Sequence, residues 1–178
     1  MTSWRMRAVI GAALALTAGA AMAQQSDNLV TTKTDWSVFA DKNPVECWGV
    51  SPPKQSVNTR DGKPVSVKRS DILLFETFRP GQAGGEASYT GGYPFADGST
   101  VGIDVDGTKF DMITQGEWAW AASPDDDAKL LAAMQKGQRA TVTAHSAKGT
   151  QTVDTFSLRG FAAAMTEEIG RASCRERV

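Results

Sequence analysis

The stretch VGIDVDGTKFDMI, residues 101–113, leaves little choice of local fold. Its apolar and polar residues alternate with a period of two, the spacing that separates the two faces of an extended strand. Asp106-Gly107 interrupts the alternation, and such a pair is a favoured two-residue hairpin loop because both positions need positive φ. Placing the turn there opposes Val105 with Thr108, Ile103 with Phe110 and Val101 with Met112. The large apolar residues then share one face, while Asp104, Lys109 and Asp111 share the other. One buried face and one wet face follow.

Similar segments recur along the chain. TDWSVFA sets Trp36, Val38 and Ala40 on one face, and VECWGV follows the Asn43-Pro44 turn until Pro52-Pro53 stops it. VNTRDGKPVSVKR predicts two polar strands about Asp61-Gly62. ILLFETF, Ile72 to Phe78, is the strongest buried-strand candidate, and GEASYTGG reads as a further edge. QRATVTAHSAKGTQTVDTFSL predicts a second hairpin, with Val142 and Ala144 on one face and a turn at Gly149. Short strands with regular turns predict a mainly β fold, an antiparallel β-sandwich or partly open β-barrel with two short covering helices.

The first helix lies in TQGEWAWAASPDDDAKLLAAM. Ser123 is a good N-cap, Pro124 suits the first helical position, and Asp125 to Asp127 sit near the positive end of the dipole. Leu130, Leu131, Ala133 and Met134 form an apolar stripe, and Gly137 is the natural C′ residue, so the helix runs from about Pro124 to Lys136. Capping explains the aspartates without a metal. Trp118 and Trp120 point the same way on the preceding strand, with Glu117, Ala119 and Ala121 opposite. We expect the tryptophans in the core, with a ligand or partner surface as the alternative. The second helix starts at Gly160 or Phe161, and its consecutive alanines imply close packing.

The ends of the chain bound its compartment. Arg5 and Arg7 precede an apolar run from Ala8 to Ala20 and a small-x-small site, Ala21-Met22-Ala23, which together predict a cleaved secretory leader over residues 1–23. The expected locations are the periplasm or outer cell envelope, by the general secretory route, with no transmembrane span in the mature chain. Residues 24–33 are polar and predict a flexible lead-in, and 34–168 form a single domain. Residues 169–178 resemble a translated sequencing-library adapter and are set apart from it. Loss of Arg5 and Arg7 takes the formal charge from −1 to −3, without the basic stripe expected of a nucleic-acid partner. Cys47 and Cys174 are the only cysteines, and in an oxidising compartment they are candidates for one disulfide. Chain entropy assigns so long a loop about 5 kcal/mol.

Motifs of known chemistry are sparse. His145 is the only histidine and falls on the polar side of its strand. No serine sits in a G-x-S-x-G elbow, and neither Gly81-Gly84-Gly85 nor Gly91-Gly92 opens a nucleotide-binding loop. Asp104 with Asp106, and Glu167 with Glu168, read as solvated pairs. Lys68, Arg69 and Arg79 form a modest basic group able to dock a carboxylate or phosphate. We expect no catalytic, cofactor-binding or metal-binding residues.

ECWGVSPPKQSVNTRDGKPVSVKRSD from Glu46, TGGYPFADGS from Thr90, GEWAWAASPDDDAKLLAAMQKG from Gly116 and AHSAKGTQTVDTFSLRGFAAAM from Ala144 resemble the invasion-associated locus B family. The likeness spans nearly all of the mature chain. It implies an exported, non-enzymatic envelope protein with an all-β core and a cysteine near each end. Cys47 matches the first, and Cys174 falls near the place of the second. One branch of the family is associated with invasion of host red cells, which brings a host-cell surface into the set of partners.

The expected function is that of an interaction protein whose partner is an envelope protein or outer-membrane component. Tyr89, Tyr93 and Phe95, in and before the loop Thr90–Gly98, make the candidate interaction surface, since aromatics anchor interfaces. A small-molecule or lipid carrier would instead need an apolar cavity of roughly 300 Å³, sited near the two tryptophans. An enzyme of unrecognised class would show a buried carboxylate beside His145 or the basic group.

Overall fold

The computed structural model describes residues 28–82 and 84–169. The expected leader, and Cys174 with the adapter-like tail beyond Ile169, lie outside them. Among the described residues twelve strands make one sheet. In chain order they are β1 (Leu29–Lys33), β2 (Trp36–Lys42), β3 (Val45–Ser51), β4 (Gln55–Arg60), β5 (Lys63–Pro64) and β6 (Leu73–Phe78). Then come β7 (Glu86–Thr90), β8 (Thr100–Val105), β9 (Thr108–Gln115), β10 (Trp118–Ala121), β11 (Arg139–His145) and β12 (Gln151–Ser157). Helix α1 (Pro124–Lys136) separates β10 from β11, and α2 (Phe161–Ala163) runs on into a π-helical segment, Ala164–Ile169.

The spatial order is β1-β2-β3-β6-β7-β10-β9-β8-β11-β12-β4-β5, with every neighbouring pair antiparallel. The ladder does not close into a barrel. Its two flanks nevertheless meet, because the indole Nε1 of Trp36 on β2 donates to the carbonyl of Ser157 on β12 at 3.0 Å. The expected antiparallel architecture, open and carrying two helices, is the one found.

Register follows the alternation read from sequence. Val105 faces Thr108, Ile103 faces Phe110 and Val101 faces Met112 across a turn with Asp106 at φ 47° and Gly107 at φ 98°. Val101, Ile103, Val105 and Met112 are buried, as are Trp36, Val38, Val142, Ala144 and Phe156 on neighbouring strands. Trp36 also packs edge-to-face on Phe161, with ring centroids 4.6 Å apart. Enclosing one such indole removes on the order of 200 Å² from water, about 5 kcal/mol by area. Gly49 leaves room for Met165 of the last helix, whose Cε a Cβ there would overlap.

Three expectations need correction. Leu29–Lys33 is not a loose lead-in but strand β1, paired along β2. Glu86–Thr90 is not at an edge, because β6 and β10 flank it. Gly137 caps α1 in an extended conformation, φ −79°, rather than a left-handed one.

Candidate functional site

The outward faces of β2, β3, β6 and β10 carry aromatic residues, those of β7 between them carry small ones, and the register brings the rings side by side. Phe39 lies opposite Trp48 across β2 and β3. The two rings stack at 5.6 Å with an interplanar angle of 12°. Phe75 on β6 lies opposite Ser88 on β7, and Ser88 lies opposite Trp120 on β10. Thr90 lies opposite Trp118 in the same way. Small Ser88 and Thr90 let the larger rings converge above β7. Phe75 and Trp118 have centroids 5.6 Å apart, and Trp118 stacks on Trp120 at 6.3 Å.

Trp48, Phe75, Trp118 and Trp120 line an open groove of about 320 Å³. Arg79 closes one rim, its Nε donating to Glu46 at 3.2 Å and its Nη1 to Glu86 at 3.1 Å. These ion pairs are half-exposed and add little stability, but they hold charge beside the rings. Trp118 is 39% exposed, and Ile113, opposite Trp120, is 53% exposed.

The two tryptophans are therefore not core residues. The alternation correctly put Ala119 on the face opposite them, but that face is the inner one, and Ala119 is fully buried. Helix α1 packs against β7, β9 and β10 and fills the interior with Leu130 and Met134, so β10 has space only for alanine. Phe39, Trp48 and Phe75 were missed as members of an outer surface. Their signal was present, since each alternates with a buried residue: Val38, Cys47 and Leu74.

The residues expected to form the interaction surface lie elsewhere. Tyr89 is fully buried and Phe95 is 4% exposed, so neither offers a contact surface. Tyr93 is half-buried. Tyr89 and Tyr93 flank a buried ion pair, and Phe95 packs against both of their rings. Arg69 meets Asp154 in a two-pronged arrangement, Nη1 to Oδ1 at 2.8 Å and Nη2 to Oδ2 at 2.5 Å. Arg69 Nε donates to the carbonyl of Gly91, and its remaining protons reach Asn58 Oδ1 and the Tyr89 hydroxyl. That hydroxyl donates in turn to Asp154 Oδ2 at 2.6 Å. The Tyr93 ring lies 5.0 Å from the Arg69 guanidinium, and its hydroxyl shares a short hydrogen bond with Thr152. Burial, reinforced by the Asp154 carboxylate, pushes Tyr89 far above its ordinary range and keeps it protonated.

A buried carboxylate beside the basic group is thus present, with both oxygens engaged by Arg69 and Tyr89. The basic group itself is dispersed: Arg69 is enclosed, Arg79 rims the aromatic groove and Lys68 is exposed. His145 is exposed at the end of β11. Asp125 to Asp127 lie in the first turn of α1, where Asp126 accepts from the Ser123 hydroxyl and Asp127 accepts from the Ala87 amide of β7, tying the helix to the sheet. Asp104 bonds the Gly107 amide, and Asp106 bonds that of Gln138. A larger hollow of about 680 Å³ on β8, β9 and β11 mixes both signs, with Asp104, Asp111, Lys109 and Arg139, as a solvated face does. Cys47 is buried in β3. Its expected pairing with Cys174 involves a residue outside those described.

A family model described as invasion associated locus B (IalB) protein matches residues 36–168, which include the aromatic face and the buried ion pair. The chain belongs to the invasion-associated locus B family. It is similar in structure to invasion associated protein B from Bartonella henselae, with a TM-score of 0.53 at 16% identity. That match covers 79% of this chain and 95% of the other. At such identity the likeness speaks for the fold alone. No curated protein matches the chain. Within this family member, the aromatic groove is a surface feature that packing does not account for.

Proposed function

We propose that the chain is an exported, non-enzymatic envelope-associated protein that binds a macromolecular partner through the aromatic face of β2, β3, β6, β7 and β10. The observation that carries this reading is the stacked pair of exposed Trp118 and half-buried Trp120, continued by half-buried Phe75, Trp48 and Phe39 across neighbouring strands. Contiguous apolar surface on a protein is costly and marks interaction sites, and tryptophan with arginine is the usual make-up of binding hot spots. Arg79 supplies the arginine. Support for export comes from the leader pattern, and among the described residues no helix is long and apolar enough to cross a membrane. Family membership and the name of the Bartonella protein support a role in association with host cells.

The test uses the full chain expressed in its own bacterium, with a photo-crosslinker at Ile113 and Trp118→Ala/Trp120→Ala in parallel. We expect recovery of leader-free protein from the envelope fraction. We also expect one dominant crosslinked envelope partner, lost in the double variant while the far-ultraviolet spectrum is unchanged. Cytoplasmic retention, or a partner that survives the double substitution, would overturn the reading.

A small-molecule carrier is the second reading, because the groove beside the tryptophans has about the required volume, 320 Å³. Its open mouth, with Trp118 39% exposed, favours a flat partner over an enclosed ligand.

A further inference from the structure

A second cleft, of about 360 Å³, lies among the end of β4, the loop before β6, the turn at Tyr93-Pro94 and the β11–β12 turn. Arg60, Lys68, Arg69 and Lys148 line it, and among the described residues no carboxylate does. Asp154, behind the wall, balances only Arg69. Arg60 is steadied by a 2.8 Å hydrogen bond from Nη2 to Thr150 Oγ1. Among the described residues neither it nor Lys68 or Lys148 has a carboxylate partner. Three uncompensated cations at one cleft contrast with a chain whose formal charge is −1. A concave surface of one sign focuses its field and concentrates the opposite charge. The rest of the wall sets an apolar part, Val67, Pro94 and the ring of Tyr93 beside the Arg69 guanidinium, against the hydroxyl residues Ser146, Thr150 and Thr152.

From this arrangement we propose a binding site for a small soluble phosphate monoester, its oxyanion held by Arg60, Lys68 and Lys148 and its organic body against Tyr93 and Pro94. The volume falls within the range of small-molecule pockets, and charge-assisted bonds to phosphate are the strong class of polar contact. The site is separate from the aromatic face, and neither reading depends on the other.

The mature domain is titrated calorimetrically with phenyl phosphate, inorganic phosphate and phenol, and by flotation with phosphatidylglycerol vesicles. We expect saturable binding of phenyl phosphate, at least about tenfold tighter than inorganic phosphate and with no counterpart for phenol. Lys68→Ala/Lys148→Ala, which alters two exposed side chains, weakens it by about tenfold or more, whereas Lys136→Ala does not. Absence of saturable binding, equal affinity for inorganic phosphate, or indifference to the double substitution overturns the proposal. Vesicle binding that phenyl phosphate does not compete for assigns the cations to a membrane surface and overturns it as well.

Discussion

Glu76 is fully buried on the inner face of β6, and neither of its carboxylate oxygens has a hydrogen-bond partner among the described residues. Burial raises its pKa well above the ordinary carboxylate range, and Asp127 and Glu86 add to the shift. The folded protein therefore keeps a proton there that the unfolded chain releases at a lower pH. Stability from this group is present in acid and falls as pH rises from about 4 toward the folded value, by at most about 1.4 kcal/mol per pH unit. Glu76→Gln removes that slope and raises stability at pH 7 by about 1–3 kcal/mol, because an amide carries no charge to bury. The check is the wild-type minus variant difference in urea unfolding from pH 4 to 7; a flat difference would sink the idea. Asp154 is the opposite case, a buried carboxylate with full partners. Asp154→Ala strands Arg69 and costs about 3–5 kcal/mol, while Arg69→Met/Asp154→Leu recovers much of the loss. Denaturant midpoints of the single and double variants decide it.

Helix α1 shows how an element can match its sequence signals for partly different reasons. Its start is local: the Ser123 Oγ accepts from the Asp126 amide at 3.2 Å, and Pro124 follows. Its end is tertiary. Gly137 has no positive φ, but a Cβ there would lie 2.7 Å from Val105 Cγ1 and 3.0 Å from Leu158 Cδ1. The glycine allows the chain to pass between β8 and the segment after β12. Gly137→Ala is expected to destabilise by about 1–3 kcal/mol through overcrowding. Val105→Ala in the same chain restores part of that loss, which a purely conformational role for the glycine would not allow. The edges of the sheet follow a related logic. β5 is only two residues long and contains Pro64, so it offers a poor template for another strand.

At the scale of the molecule, a curved sheet keeps one face around a core and turns the other to solvent. The aromatic strip belongs to that second face, so it contributes little to holding the fold together. Trp118→Ala/Trp120→Ala should lower stability by no more than about 2 kcal/mol, against about 3–5 kcal/mol for removing a core aromatic such as Phe156. Thermal unfolding of the two variants compares them directly. Acrylamide quenching should also fall selectively in Trp118→Phe, because Trp36 is fully buried and Trp118 is not.

Local chemistry in the sequence was enough to specify most strands, though not β1, together with the Asp106-Gly107 turn, the β8–β9 register and the limits of α1. Each depends on residues close along the chain, through side-chain alternation, turn conformation or capping. The same alternation grouped Trp118 with Trp120 but could not say which side of β10 faces inward, because that depends on α1 occupying the interior. Hydrophobicity favoured tryptophan inside, and the space left beneath the helix admitted Ala119 instead. The burial of Tyr89 and Phe95 was similarly hidden, since Tyr89 satisfies its hydroxyl on Asp154, 65 residues away. Arg69 pairs with that carboxylate across 85 residues. The sequence by itself determined which residues share a face. Only the tertiary structure decided which face is wet, because inside and outside are properties of what packs opposite a strand.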